Sequence, residues 1–154
     1  MAAQVVVDSG IVLATVLEEA HSDRAKGLME IWIEQNVQLA APMLFRYEVV
    51  AVIRRALYQN RLTPQEAMRG RDVLLALPVR YYLDDELLKR AYELATHFNR
   101  STAYDSQYRA VAERLGCECW TADERLLNAV GHELRWVKWL GHFAGSPPSQ
   151  PPLR

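Results

Sequence analysis

Four acidic residues stand where carboxylates can be brought together. Asp8 directly follows the strand-like run Val5-Val6-Val7, and Glu48 lies early in the helical segment after Pro42. Asp105 falls in the first turn of a helix expected to begin near Thr102, and Asp123 follows the strand-like Cys117 to Trp120 through Thr121-Ala122. Carboxylates gathered without a counter-charge raise one another's pKa, but the same group becomes a good site for a hard cation. The rest of the chain points to Mg²⁺ or Mn²⁺ over zinc. The four histidines form no HxH or HExxH pattern, and Cys117 and Cys119 fit neither a CxxC zinc pair nor a disulfide framework. Both cysteines read as buried thiols.

Each acid also has a purely local explanation. Asp8 can cap the following helix, and Glu48 can be an ordinary solvated charge. Asp105 can complete a capping box opened by Thr102, and Asp123 with Glu124 can favour a helix dipole. The local readings suffice one at a time. Taken together they leave a shared strand edge as coincidence, because ligand sites in parallel α/β sheets lie beyond the carboxyl ends of the strands.

The elements that would position these acids follow from periodicity and punctuation. Strands are expected over Val5–Val7, Gln38–Ala41, Val79–Leu83, Cys117–Trp120 and Leu134–Trp139. Helices are expected over Ile11–Ala20, Ser22–Asn36, Pro42–Arg61, from Pro64 to before Pro78, Asp84–Asn99, Thr102–Leu115 and Asp123–Asn128. Thr63-Pro64-Gln65-Glu66 reads as an N-cap, a proline at the first helical position and a closing acid. Strands alternating with helices imply an α/β fold with a central, mainly parallel sheet of about five strands and helices on both faces.

The order and context of the four acids resemble the PIN-domain family, specifically the VapC-type toxin ribonucleases of type II toxin-antitoxin systems. Val5-Val6-Val7-Asp8-Ser9 is similar to the family's first strand and acid, and the segment Ala41 to Val49 to its Pro-to-Glu stretch. Tyr104-Asp105-Ser106-Gln107-Tyr108 resembles its Tyr-Asp-x-x-Tyr helix start, and Thr121-Ala122-Asp123 its Thr-x-Asp segment. The last two are the more specific. The chain departs from the pattern at Gly10, where the family commonly has Ser or Asn.

The resemblance implies a three-layer α/β/α sandwich and metal-dependent endoribonuclease activity on RNA. Asp8 and Asp105 would be the principal Mg²⁺ or Mn²⁺ ligands, with Glu48 and Asp123 ligating directly or through water. Ser9 and Thr121 would hold carboxylate rotamers by hydrogen bonds. A cognate antitoxin and a homodimer are the partners it implies. The preference for RNA over DNA rests on the resemblance, since such a site needs no 2′-OH nucleophile.

Two other functions stay open on sequence alone. A non-catalytic PIN-like nucleic-acid-binding or scaffold module could carry the same residues, and so could a phosphatase using Asp8 as nucleophile. The second would want another Asp at position 10, and Gly10 counts against it.

In the 154-residue chain, 18 Lys and Arg face 19 Asp and Glu, for a net charge of -1, so global charge does not reveal a nucleic-acid substrate. Arg46, Arg54, Arg55, Arg100 and Arg109 flank the acidic segments as phosphate contacts or as ordinary helix charges. The apolar stripes Ile11–Leu17 and Leu28–Ile33, with Trp136 and Trp139, are either core or a partner surface. With no membrane-length apolar run and no charged leader, the chain reads as cytoplasmic. Residues 1–143 read as one nuclease domain, and residues 144–154, rich in Pro and Ser, as a disordered tail.

Overall fold

Val5, Val6 and Val7 are buried, with Val6 and Val7 wholly inaccessible. A strand covered on both faces belongs in the middle of a parallel sheet, which is where β1 (Gln4–Val7) sits. The computed structural model describes residues 3–144. Its other strands are β2 (Gln38–Pro42), β3 (Val79–Tyr82), β4 (Cys119–Thr121) and β5 (Val137–Trp139). The sheet order is β3-β2-β1-β4-β5, and every neighbouring pair is parallel.

The helices are α1 (Ser9–Leu13), α2 (Ser22–Glu34), α3 (Leu44–Tyr58), α4 (Pro64–Leu75), α5 (Asp85–His97), α6 (Ser106–Leu115) and α7 (Glu124–Val130). The chain runs outward from β1 to β2 and β3, then returns across the sheet to β4 and β5. With right-handed crossovers, that reversal places α1 to α4 on one face and α5 to α7 on the other, a three-layer sandwich. It also creates a switch point between β1 and β4, and ligand sites of parallel α/β sheets lie beyond the carboxyl ends of the strands at such a point. Asp8 leaves β1 at that end, and Thr121-Ala122-Asp123 leaves β4 there.

Several boundaries differ from the sequence reading, each for a local reason. The helix after Asp8 ends at Leu13, because the Thr15 hydroxyl turns back to the Val12 carbonyl and Ser22 Oγ ties the loop at Leu17 and Glu19. Ser22 is thus spent on the loop and does not cap α2; His21 occupies the cap position without a side-chain bond. Residues 102–104 are not helical, and α6 starts only after Asp105. Leu134–Trp136 lie outside β5, and Cys117 precedes β4 as a half-buried thiol, whereas Cys119 is buried within it.

Other expectations hold. Thr63 and Glu66 form a reciprocal capping box around Pro64. Gly116, at φ 63°, ends α6 in the left-handed conformation that costs glycine nothing. Asn36, Asn60 and Asn99 take positive φ just beyond α2, α3 and α5, a stop signal absent from the sequence reading.

The stripes considered as a partner surface are core: Ile11, Val12, Leu13, Leu17, Leu28, Met29 and Trp32 are all buried, and Ile33 alone turns outward. Among the described residues, no helix is long and apolar enough to cross a membrane. The expected tail, 144–154, lies outside the described residues except for Ala144.

Candidate active site

Asp8 is fixed by the strand before it and the helix after it. Its backbone N–H donates to the Trp120 carbonyl of β4 at 3.0 Å, and its Oδ1 accepts from the Ile11 N–H at 3.2 Å, capping α1. The capping explanation therefore holds for one oxygen, without accounting for the partly buried carboxylate as a whole. Burial raises the Asp8 pKa from 3.8 to about 6, with the Glu48 charge adding to the effect. Hydrogen bonding from Thr121 and from the Ile11 and Ala122 amides works against the rise.

Glu48 sits one turn into α3, between buried Phe45 and Val49. Tyr108 donates its hydroxyl to Glu48 Oε1 at 2.5 Å, a short, charge-assisted bond. Burial raises the Glu48 pKa and the Asp105 charge raises it further, while the Tyr108 and Ser9 hydroxyls lower it. Tyr108 is itself buried, and desolvation with the Glu48 and Asp8 charges pushes its own ionisation far up. It keeps its proton and acts as a fixed hydrogen-bond donor.

Asp105 occupies the N-cap position of α6 in helical backbone geometry, yet its side chain caps nothing. The Thr102 capping box does not form, which leaves the carboxylate free for charge. Its Oδ2 accepts from Arg100 Nη2 at 3.3 Å, and its Oδ1 lies 3.8 Å from Arg109 Nη2. Arg109 is 0% exposed, so it cannot reach a surface phosphate. Burial lowers its pKa, opposed chiefly by the Asp105 charge.

Asp123 is exposed and caps α7, accepting from the Arg125 N–H at 2.9 Å. Among the described residues, no hydrogen bond joins its carboxylate to Ser9, Tyr108, Arg100 or Arg109, the groups around the other three acids. Thr121 links it to them indirectly. The Thr121 hydroxyl accepts from the Asp123 N–H at 3.0 Å and takes part in holding Asp8. The structure thus brings Glu48 within electrostatic reach of Asp8 on one side and of Asp105 on the other, and leaves Asp123 exposed.

The donors suit a hard divalent cation: they are all oxygens, and their repulsion is what such an ion would relieve. Among the described residues, no three His, Cys, Asp or Glu side chains already surround one point closely enough to ligate an ion. The protein donors explain the gap, since Tyr108 holds Glu48 while Arg100 and Arg109 flank Asp105.

A Cβ at Gly10 would lie 3.1 Å from both Ala122 Cβ and Asp8 Oδ1, a close approach that a shift of a few tenths of an ångström would relieve. Ser9, buried beside it, supplies a hydroxyl to the Glu48 and Tyr108 pair.

Comparison with known proteins places this arrangement in a family. The profile described as PIN domain matches residues 5–132. The chain belongs to the PIN-domain family. This PIN domain is similar to Ribonuclease VapC12 of Mycobacterium tuberculosis, 37% identical over 93 residues, which span 60% of this chain and 69% of the relative. It is 30% identical to Ribonuclease VapC9 of the same organism over 122 residues, or 79% of this chain and 87% of the relative. Its fold matches PAE2754 from Pyrobaculum aerophilum with a TM-score of 0.66 at 23% identity, covering 92% of each chain. It also matches the sarcin-ricin loop cleaving toxin VapC20 of M. tuberculosis, with a TM-score of 0.61 at 20% identity over 82% of this chain and 95% of that one.

Sequence reasoning undervalued two residues of this PIN domain. Tyr108 and Arg109 stand three and four positions after Asp105, on the same helical face, and that spacing was the available signal. Tyr108→Phe should leave Glu48 without its shortest bond while preserving the fold. Turnover is expected to fall on the order of tenfold with little change in melting temperature, in line with a lost charge-assisted hydrogen bond. Full activity in that variant would remove Tyr108 from the site.

Proposed function

We propose that this PIN domain is a metal-dependent endoribonuclease that hydrolyses RNA phosphodiester bonds, acting as the toxin of a VapBC-type pair. The supporting observation is Glu48 within electrostatic reach of both Asp8 and Asp105 beside the sheet's switch point, in a chain related to ribonucleases of the VapC type. When bound, Mg²⁺ or Mn²⁺ would activate water and stabilise charge on the phosphoryl group. Asp8 and Asp105 would be its principal ligands, with Glu48 and Asp123 ligating directly or through water. Ser9 and Tyr108 orient Glu48, and Thr121 orients Asp8 while bridging to the Asp123 backbone.

The partners we assign are RNA, an antitoxin protein and a second copy of the chain, in the cytoplasm. The core supplies no docking stripe, but α3 and α4 leave a cleft of about 430 Å³ lined by Val50, Ile53, Leu57, Ala67 and Met68. An apolar face of an antitoxin segment would fit such a cleft.

Purified protein incubated with cellular RNA should generate discrete new ends only when Mn²⁺ or Mg²⁺ is present, as read by end sequencing. Expression alone should arrest growth, and co-expression of a neighbouring antitoxin should restore it. Absence of metal-dependent ends would defeat the nuclease reading, and harmless expression of a cleaving protein would defeat the toxin role.

A further inference from the structure

A buried guanidinium with no hydrogen-bond partner is unusual. Arg109 is 0% exposed, and its Nε, Nη1 and Nη2 atoms are all without a partner among the described residues. At 3.8 Å its contact with Asp105 is an ion pair, too long for a hydrogen bond. Holding five donors in that state costs free energy that packing an apolar side chain of similar length would avoid. What Arg109 does have is position: it projects from the turn of α6 that follows Asp105 and sets its buried Nη2 3.8 Å from the Asp105 Oδ1. Arg100 meets the other Asp105 oxygen from the solvent side.

We propose that Arg109, together with Arg100, is a resident counter-cation of the carboxylate cluster. The pair balances Asp105 before a divalent ion arrives and competes with that ion for the same carboxylate, so it sets the affinity of the site for metal. This rests on reading the cluster as a metal site. A positive charge within a few ångströms of a cation site weakens binding, and burial keeps solvent from screening it. The two arginines are positioning residues, acting on metal through Asp105.

Calorimetric titration of Mn²⁺ into the wild-type protein and the Arg109→Met, Arg109→Lys and Arg100→Gln variants tests this. Arg109→Met should bind Mn²⁺ about tenfold more tightly or better, Arg109→Lys should stay near wild type because the charge remains, and Arg100→Gln should tighten binding about threefold. Melting temperatures recorded with and without Mn²⁺ should show a wider gap in Arg109→Met than in wild type. Wild-type binding with unchanged or weaker affinity in Arg109→Met overturns the counter-cation role alone. If Arg109→Met fails to fold, unchanged affinity in Arg100→Gln overturns it. Failure of the wild-type protein to bind Mn²⁺ at all overturns the metal reading, and this inference falls with it.

Discussion

Asp8→Asn should abolish metal-dependent cleavage and, in metal-free buffer at pH 7, make the protein more stable. The activity loss follows from removing the negative charge at the end of β1. The stability gain follows from the raised pKa. Asp8 titrates at about 6 in the folded chain against an ordinary value of 3.8, chiefly because burial penalises its charge. The fold therefore favours the protonated form. The cost is absent below the unfolded-state pKa, grows as pH rises through the window between the two values, and is complete above about pH 6. That gap corresponds to about 3 kcal/mol at most, since one pKa unit is about 1.4 kcal/mol. Asparagine cannot ionise and caps a helix as well as aspartate, so the bond to the Ile11 N–H survives.

An increase of several degrees in melting temperature is thus expected at pH 7, since about 1 kcal/mol moves a domain of this size by roughly 2–4 °C. The difference should vanish once the pH falls well below 3.8, where Asp8 is protonated in the folded and the unfolded wild type alike. Mn²⁺ should narrow it from the other side by stabilising only the wild type. A variant that melts at or below wild type in metal-free buffer at pH 7 would refute the account of Asp8 as a charge held at a cost for the sake of its chemistry.

Parts of the site were legible in the sequence and others were not, according to whether local pattern or long-range contact placed them. Asp8 and Asp123 could be placed because a parallel sheet delivers residues after its strands to one edge, and the strands themselves were visible as β-branched runs and turn breaks. Asp105 fell to the right region, but residues 102–104 carry no breaker that separates a loop from a first helical turn, so its helix was started too early. The short α1 was overextended for a similar reason: the apolar residues Ile11, Val12, Leu13 and Leu17 suit a helix, and only the tertiary bonds of Ser22 reveal the turn. Glu48 depended on the family pattern, because a lone acid on α3 looks like a solvated charge until Tyr108 is seen to face it across 60 positions of sequence. The burial of Arg109 was hidden altogether. Arginine on an amphipathic helix reads as surface, but Arg109 lies on the part of α6 that is covered by β1, β2 and α5, while Glu113 and Arg114 take the outward face.

Asp105→Asn should also abolish cleavage, but its stability effect should be opposite in sign to that of Asp8→Asn. Removing the Asp105 charge leaves Arg109 buried with its one nearby anion gone. Breaking a buried ion pair from one side commonly costs about 3–5 kcal/mol, since the remaining charge stays desolvated. Here the partners are 3.8 Å apart and the Asp105 side chain is 37% exposed, so a smaller loss of about 2 kcal/mol is expected. A double-mutant cycle separates this mechanism from simple loss of packing. Replacing Arg109 by Met in the Asp105→Asn background removes the stranded charge, so the double variant should melt above Asp105→Asn alone. If the double variant is less stable than the single by the full cost of Arg109→Met in wild type, Asp105 and Arg109 are uncoupled and the loss has another origin. A double variant that melts above Asp105→Asn would instead show two aspartates of one cluster differing for a single physical reason. Asp8 is an anion that burial opposes, whereas Asp105 is the anion that a buried cation requires.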